Sequence, residues 1–204
     1  MIFCNSNQKL LLVIKILIIY FFISTKIFST EKNNIKGIIE GDSNAKIEIL
    51  IYESLTCPHC ATFHKEIYPN LKKDFIDKGL VKIEFKSFPL DMAALNASKI
   101  AHCKNDGNPD ILHFLYNNQN VWMIGDTVDE INENLKKIIN KQNFEIDFSE
   151  CINDKNIEDY ILEERIESVK KFEINSTPTL IINNKKFSKP LTYKNIKKAI
   201  EKLI

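Results

Sequence analysis

Charge of one sign is not in excess. The 28 Lys plus Arg are matched by 27 Asp plus Glu, a formal net charge of +1. This removes the electrostatic argument for nucleic acid, or any other polyanion, as a partner. No internal repeat and no low-complexity stretch appears, so nothing suggests a stacked array of small units. No apolar run is long enough to span a bilayer. The run from Leu10 to Ile23 is about 14 residues and is interrupted by Lys15, against the roughly 20 that a spanning helix needs. A second close cysteine pair is also missing. Cys4, Cys103 and Cys151 stand singly, so a zinc site built on paired cysteines is disfavoured and no metal or cofactor is expected.

What is present is one close pair, Cys57-Pro58-His59-Cys60, at a junction of two patterns. Ahead of it, Ile47 to Tyr52 is short, apolar and rich in β-branched residues, which predicts a strand buried on both faces. Behind it, from Ala61 to Lys78, Phe63, Ile67, Leu71 and Phe75 recur every fourth residue and predict one apolar helical stripe. A Cys-x-x-Cys where a buried strand gives way to a helix marks a redox site of the thioredoxin kind. The first turn of a helix offers unpaired N–H groups and the positive end of the helix dipole. A thiol at Cys57 should therefore ionise below the free value of about 8.5. Pro58 suits the first helical position. His59 can add an N–H donor or a positive charge beside the sulfur. Cys60, one turn on, should be more buried and suits the resolving thiol. An inert structural disulfide is disfavoured because the pair opens a helix instead of lying in a loop.

At 204 residues, one domain with an insertion and two small domains both remain open. Residues 1–30, with Lys9 ahead of the apolar run, read as an export signal. No Ala-x-Ala cleavage site appears, Ser29 and Thr30 being the nearest small residues, so a cleaved signal and an uncleaved membrane anchor both stay open. Either sends the remainder out of the cytosol, where disulfides persist. Residues 31–45 read as a polar linker ending in a turn at Gly41-Asp42, with no room for a dimerisation domain, and a monomer is expected. Pro69 predicts a kink near Ile67 to Tyr68 or a fresh helix start. Gly79 closes that helix, and Val81 to Phe88 alternates as a second strand. From 91 to 172 the pattern is helical. Expected helices are Met92 to Lys104, Pro109 to Asn117, Val128 to Lys141, Phe148 to Asn153 and Ile157 to Phe172, with a capping box at Thr127 and Glu130. That is too much helix for a crossover, so it should pack as a small bundle of its own against the sheet. Thr179 to Ile182 and Lys185 to Ser188 should form a hairpin turning at Asn183-Asn184. Thr192 to Ile204 closes the chain as an amphipathic helix with Ile196, Ala199, Ile200 and Leu203 on one face.

From about Ile38 to Ile204 the chain resembles the bacterial DsbA-like thiol:disulfide oxidoreductases, especially the alphaproteobacterial kind. The resemblance is carried by Tyr52 to Cys60 (Tyr-Glu-Ser-Leu-Thr-Cys-Pro-His-Cys), Phe88 to Asp91, Ala101-His102-Cys103, and Ser176 to Leu180 (Ser-Thr-Pro-Thr-Leu). It implies an α/β architecture: a thioredoxin fold over 46–90 and 173–204, interrupted by an all-helical insertion over 91–172. It implies that Thr177-Pro178 is a cis peptide facing the cysteines, with the backbone at Thr177 free to pair with an extended substrate. A second disulfide, Cys103–Cys151, is implied as well, against the alternative of two buried free thiols.

Two departures matter. Many relatives carry a buried acid six positions before the first cysteine, and here that position is Ile51. Glu53 is expected to point to the other face or to leave the strand. Thr177 before the proline is shared with isomerases of the superfamily. His64 could face the active-site surface, whereas His102 and His113 read as packing or solvent residues, and Trp122 reads as a core anchor of the helical segment.

The expected activity is that of an exported, periplasmic thiol oxidase. It would act on unfolded or reduced exported proteins and be reoxidised by a membrane quinone-linked partner. An isomerase or reductase on the same fold, and a non-catalytic chaperone binding unfolded chains, are the rivals.

Overall fold

The computed structural model describes residues 35–204, which form one compact unit. The export signal expected over residues 1–30 lies outside the described residues. Among the described residues no helix is long and apolar enough to cross a membrane.

The central strand is β2 (Ile47–Glu53), as its unbroken apolar run requires. The sheet has five strands in the order β1-β3-β2-β4-β5. β3 (Val81–Ser87) runs parallel to β2, with Ile83 opposite Ile49. β4 (Thr179–Ile182) runs antiparallel on the other side, with Leu180 opposite Ile51. Ile47, Ile49 and Ile51 join the main core on one face, while Leu50 and Tyr52 pack on the other face with Phe88, Ile174 and Ile181. The edges are short. β1 (Ile38–Glu40) pairs antiparallel with β3, inside the segment expected to be a linker. Three residues give no readable period; what holds β1 is burial of Ile38 and pairing across the chain. β5 (Lys185–Lys186) follows a turn in which Asn183 and Asn184 have φ 44° and 63°, both left-handed as a tight hairpin demands. It is shorter than expected, although the Phe187 N–H still donates to Leu180 O at 2.9 Å.

The helix after the cysteines, α1 (residues 58–76), is broken into segments as expected from Pro69, with a fresh α-helical turn starting at Tyr68 and Pro69 among its first residues. Two of its turns are widened to π geometry, at Phe63–Ile67 and Lys72–Ile76, and the Tyr68 N–H bonds back five residues to Phe63 O. The first widened turn immediately precedes Pro69, where an ordinary turn would meet a ring without an N–H. The predicted stripe of Phe63, Ile67, Leu71 and Phe75 packs in the main core. Gly79, at φ 69°, ends the helix, with the Leu80 N–H returning to Phe75 O at 3.0 Å.

The helical segment comprises α2 (Met92–His102), α3 (Asp110–Asn117), α4 (Gln119–Trp122), α5 (Val128–Gln142), α6 (Phe148–Asn153) and α7 (Lys155–Phe172). Side-chain caps set several of the starts: Asp91 for α2, Thr127 with Glu130 for α5, Asp147 for α6 and Asp154 for α7. Asp154 accepts from both Asn156 and Ile157, which is why α7 begins two residues ahead of its apolar pattern. The segment has only a small cluster of its own, Leu95 with Ile157 and Ile161, and otherwise shares the core of the sheet. Leu115, Trp122, Leu135, Ile139 and Cys151 belong to the same buried cluster as the sheet residues Ile49 and Ile83. Cys103, just past α2, is bonded to Cys151 on α6, with Cα atoms 5.4 Å apart. The last helix, α8 (Tyr193–Ile200), buries Ile196 and Ile200 but ends before Leu203, which is exposed.

Candidate active site

Cys57 is the N-cap residue of α1, in extended conformation with φ −80° and ψ 120°. The turn that delivers it is closed by the Cys57 N–H on Ser54 O at 3.0 Å. Side chains from distant elements brace this turn. Thr56 Oγ1 donates to Asp91 Oδ2 at 2.7 Å, and Asp91 also caps α2. Gln119 on α4 donates through Nε2 to Leu55 O at 2.7 Å and to Cys57 O at 3.1 Å. Gln119 was not legible in the sequence, where it is one of several amides in a polar run.

The two sulfurs are both free thiols and both buried, Cys60 completely. Their acidities diverge. The Cys57 pKa falls from an ordinary 9.0 to about 5. The largest cause is the hydrogen bond from the Cys60 thiol; burial opposes it, and Thr177 and the backbone N–H groups of Cys60 and His59 lower the pKa further. The neighbouring thiol thus leads, and the helix start adds to it. Cys60 is pushed far up by burial, by its bond to Cys57 and by the Glu53 charge. The pair is therefore poised as a thiolate at Cys57 and a protonated thiol at Cys60. Pro58 and His59 are exposed, and His59 reaches Cys57 through its backbone N–H.

Thr177-Pro178 is a cis peptide, and Thr177 O lies 3.4 Å from Cys57 Sγ. His59, Thr62, Phe63, Ile67, Thr177 and Pro178, together with Leu191, line a cavity of about 230 Å³ beside the cysteines. The structure thus brings Cys57, Pro58, His59, Cys60, Thr177 and Pro178 together, and places Cys103 and Cys151 elsewhere, bonded to each other. Among the described residues no group of three or more His, Cys, Asp or Glu could hold a metal ion.

Glu53 corrects the sequence reading. It neither leaves the strand nor turns to the other face; it is the last residue of β2 and 3% exposed. Ile47, Ile49, Ile51 and Glu53 alternate onto the face that carries the main core, so the acid missing at position 51 is supplied two residues on. Its Oε2 lies 2.8 Å from His64 Nε2. His64 is not at the active-site surface; it is 4% exposed, and its ring is stacked on Tyr116 at 4.0 Å and bonded to His113. The Tyr116 hydroxyl is buried with no hydrogen-bond partner, and burial together with the Glu53 charge holds it protonated.

A thioredoxin family model matches residues 33–202. The chain is 26% identical over 179 residues to a Rickettsia bellii protein named as a protein-disulfide oxidoreductase, covering 87% of this chain and 67% of that one. With the next rickettsial relatives the share of their length falls to 66% and 64%, so the chain spans about two thirds of these proteins. It is 27% identical to disulfide bond formation protein D of Bacillus subtilis, over 83% of this chain and 78% of that one. The crystal structure of alpha-DsbA1 from Wolbachia pipientis superposes with a TM-score of 0.74 at 30% identity, covering 82% of this chain and 90% of that one. The chain belongs to the thioredoxin family, among its DsbA-like thiol:disulfide oxidoreductases with a helical insertion.

Proposed function

We propose that the protein is an exported thiol oxidase that passes a Cys57–Cys60 disulfide to reduced proteins in an oxidising compartment such as the periplasm. A substrate thiolate attacks Cys57 Sγ, the Cys57–Cys60 bond breaks, and Cys60 leaves as a thiolate that takes up a proton. A second substrate thiolate attacks the substrate sulfur of the mixed disulfide and expels Cys57 as a thiolate. The substrate loses two electrons and the cysteine pair gains them. A membrane quinone-linked reoxidase would restore the disulfide. Cys57, Cys60, Pro58 and His59 carry the exchange, and the Thr177-Pro178 segment with its cavity receives the extended substrate. The Cys103–Cys151 bridge is structural.

The observation that carries the reading is the setting of Cys57, at the N-cap of α1 with the Cys60 thiol one turn on and the cis Thr177-Pro178 peptide against its sulfur, a setting that favours its thiolate. A stable thiolate is a good leaving group and favours the reduced pair, and that makes the oxidised pair a strong oxidant. Thr177 ahead of the proline favours a second reading, a disulfide isomerase. Equilibration with glutathione tests both. The oxidase reading expects a potential well above that of the glutathione couple, and oxidation of a dithiol peptide that is abolished in Cys57→Ser. A potential below that of glutathione would point to a reductase. Rescue of scrambled ribonuclease without added oxidant would point to the isomerase.

A further inference from the structure

The near-neutral total charge hides a segregation along the chain. Residues 183–204 hold seven Lys and one Glu, a net charge of +6, whereas residues 35–182 hold 17 Lys plus Arg and 25 Asp plus Glu, a net charge of −8. The basic stretch contains the turn after β4, then β5, the loop that follows and α8. It surrounds a cavity of about 530 Å³ between the β5 edge of the sheet and the end of α8. The wall of this cavity is apolar, made by Ile182, Phe187, Ala199 and Leu203. Around it stand Lys185, Lys189, Lys198 and Lys202, all exposed, and no Asp or Glu among the described residues lines it.

These charges are not neutralised within the fold. Among the described residues only Lys197 of the basic stretch is ion-paired, 3.9 Å from Asp74 and from Glu201. Lys186 donates to Glu173 O at 2.9 Å, just beyond α7. The other five lysines have no carboxylate partner among the described residues. Lysine on an edge strand is a common guard against unwanted strand pairing. That accounts for Lys185 and Lys186 on β5. It does not account for Lys189 beyond the strand, nor for Lys198 and Lys202 on the α8 side of the cavity.

Two further observations decide which kind of anion fits. Leu203 and Ile204, next to Lys202, are 47% and 69% exposed. Cations on long apolar stems, set among exposed apolar side chains, suit a membrane interface: the stems and apolar groups reach the acyl boundary while the ammonium groups meet phosphates. An acidic polypeptide held along this edge would need main-chain pairing, and β5 offers only two residues for it. The surface is also separate from the exchange site. Thr179 begins β4 beside Pro178, and Ile182 ends it at this cavity, roughly 10 Å further along the strand.

We propose that the groove between β5 and α8 docks the protein on an anionic phospholipid surface, with Lys185, Lys189, Lys198 and Lys202 on the headgroup phosphates and Leu203 and Ile204 at the acyl boundary. The docking is reversible and electrostatic, each lysine strengthening it about fivefold. It engages the far end of β4 and leaves the Thr177-Pro178 end to the substrate. It does not depend on the exchange reading, since neither cysteine takes part.

Amine footprinting of the full chain reads this surface residue by residue, independently of residues 1–34. The protein is mixed with vesicles of phosphatidylcholine containing phosphatidylglycerol, or of phosphatidylcholine alone, and treated briefly with an acetylating reagent. Mass spectrometry then gives the rate at each lysine. On the anionic vesicles Lys185, Lys189, Lys198 and Lys202 should be acetylated several-fold more slowly than on the neutral ones, while the exposed Lys136 and Lys141 on α5 keep their rates. The protection should vanish near 1 M salt, where the Debye length is about 3 Å. In K198E/K202E the rates at Lys185 and Lys189 should rise to those on neutral vesicles, with oxidation of a dithiol peptide in solution unchanged. The wild-type comparisons of vesicle and salt decide the question even where this double variant fails to fold. Equal rates on the two kinds of vesicle, protection spread equally to Lys136 and Lys141, or full protection kept in the folded variant would overturn lipid docking. So would protection by soluble polyglutamate but not by vesicles, which would assign the groove to an acidic polypeptide. A wild-type protein that shows the protection yet oxidises no dithiol peptide would overturn the exchange reading and uphold the docking.

Discussion

Reduction of the Cys57–Cys60 bond should change the stability of the fold by an amount that depends steeply on pH, and the sign can be worked out from the site. In the folded reduced protein the Cys57 pKa is about 5 against an ordinary 9.0. A folded pKa below the unfolded one stabilises the fold. The gain is complete above the unfolded value and is lost as pH falls through about 5, changing by about 1.4 kcal/mol per pH unit between the two. At pH 7 about half of this interval is realised, some 2.7 kcal/mol in full, and about 2 kcal/mol once solvent screening at a sulfur beside an open groove is allowed for. The oxidised form has no thiolate but constrains the unfolded chain. Its bridge closes a loop of about four residues, for which loop-closure entropy gives about 2 kcal/mol. The two effects should therefore balance near neutral pH, with the oxidised form more stable in mild acid and the reduced form more stable in mild base.

Other groups do not obscure this difference. Glu40 hydrogen-bonds Tyr68 and Lys72, and the buried His102, whose pKa falls to about 4, contacts Ser87, so their own pH dependence should cancel in the oxidised-minus-reduced difference. Cys60 stays protonated across the range because its own pKa is raised. Urea unfolding of matched oxidised and reduced samples, with Cys103–Cys151 intact and Trp122 fluorescence as the probe, measures the difference directly. A stability difference that is flat from pH 5 to pH 8 would falsify the assignment of Cys57 as a thiolate, and with it the argument that the pair is strongly oxidising.

Other outcomes follow from single contacts. Replacing both Cys103 and Cys151 by Ala frees a separation of 48 residues and should cost about 4 kcal/mol, read as a lower urea midpoint. Gln119→Leu removes the side-chain donor to the carbonyls of Leu55 and Cys57. It should cost about 1–3 kcal/mol and alter the thiolate absorbance titration of Cys57, whereas an unchanged titration would mean that Gln119 does not hold the loop. Glu53→Ala and His64→Ala should each cost about 3–5 kcal/mol by stranding a buried partner, and the double variant should cost much less than their sum; additive losses would show that the two do not act as a pair.

The parts of this fold that were legible in the sequence are those governed by short-range rules. The unbroken apolar run of β2, the alternation of β3 and the four-residue stripe of α1 follow from period alone. The helix starts at Asp91, Thr127 and Asp147 follow from side chains that cap their own first turn. What was not legible depends on partners far away in the chain. β1 is a strand because β3 pairs with it, and most of the helical segment shares the sheet's core because Leu115 and Trp122 are buried in the same cluster as Ile49 and Ile83. Gln119 is an unremarkable amide until it is seen bonded to carbonyls 64 and 62 residues away. His64 was expected at the active-site surface at most and His113 in packing or solvent, because nothing in the sequence links two rings 49 residues apart, yet they share a hydrogen bond.

Glu53 lies between these two classes, since its placement follows from a rule available at the outset. Strand alternation puts positions 51 and 53 on the same face, provided the strand runs on to 53. It does, because the parallel pairing of β2 with β3 extends to Glu53 opposite Ser87, and the Glu53 carbonyl accepts the Phe88 N–H at 2.7 Å. Ile51, opposite Leu180, then fills the centre of the core with an apolar side chain, while the carboxylate moves toward the end of the strand, nearer the turn that delivers Cys57. A buried carboxylate needs a partner there, since desolvation without one costs several kcal/mol. The partner is His64, four residues beyond Cys60 in the widened turn of α1. The helix thus gives the redox pair its first turn and gives the acid its counterpart one turn later. Ile51 and Glu53 together keep both an apolar core and a carboxylate whose charge acts on Cys60, with the acid displaced by one strand period from where the resemblance would have placed it.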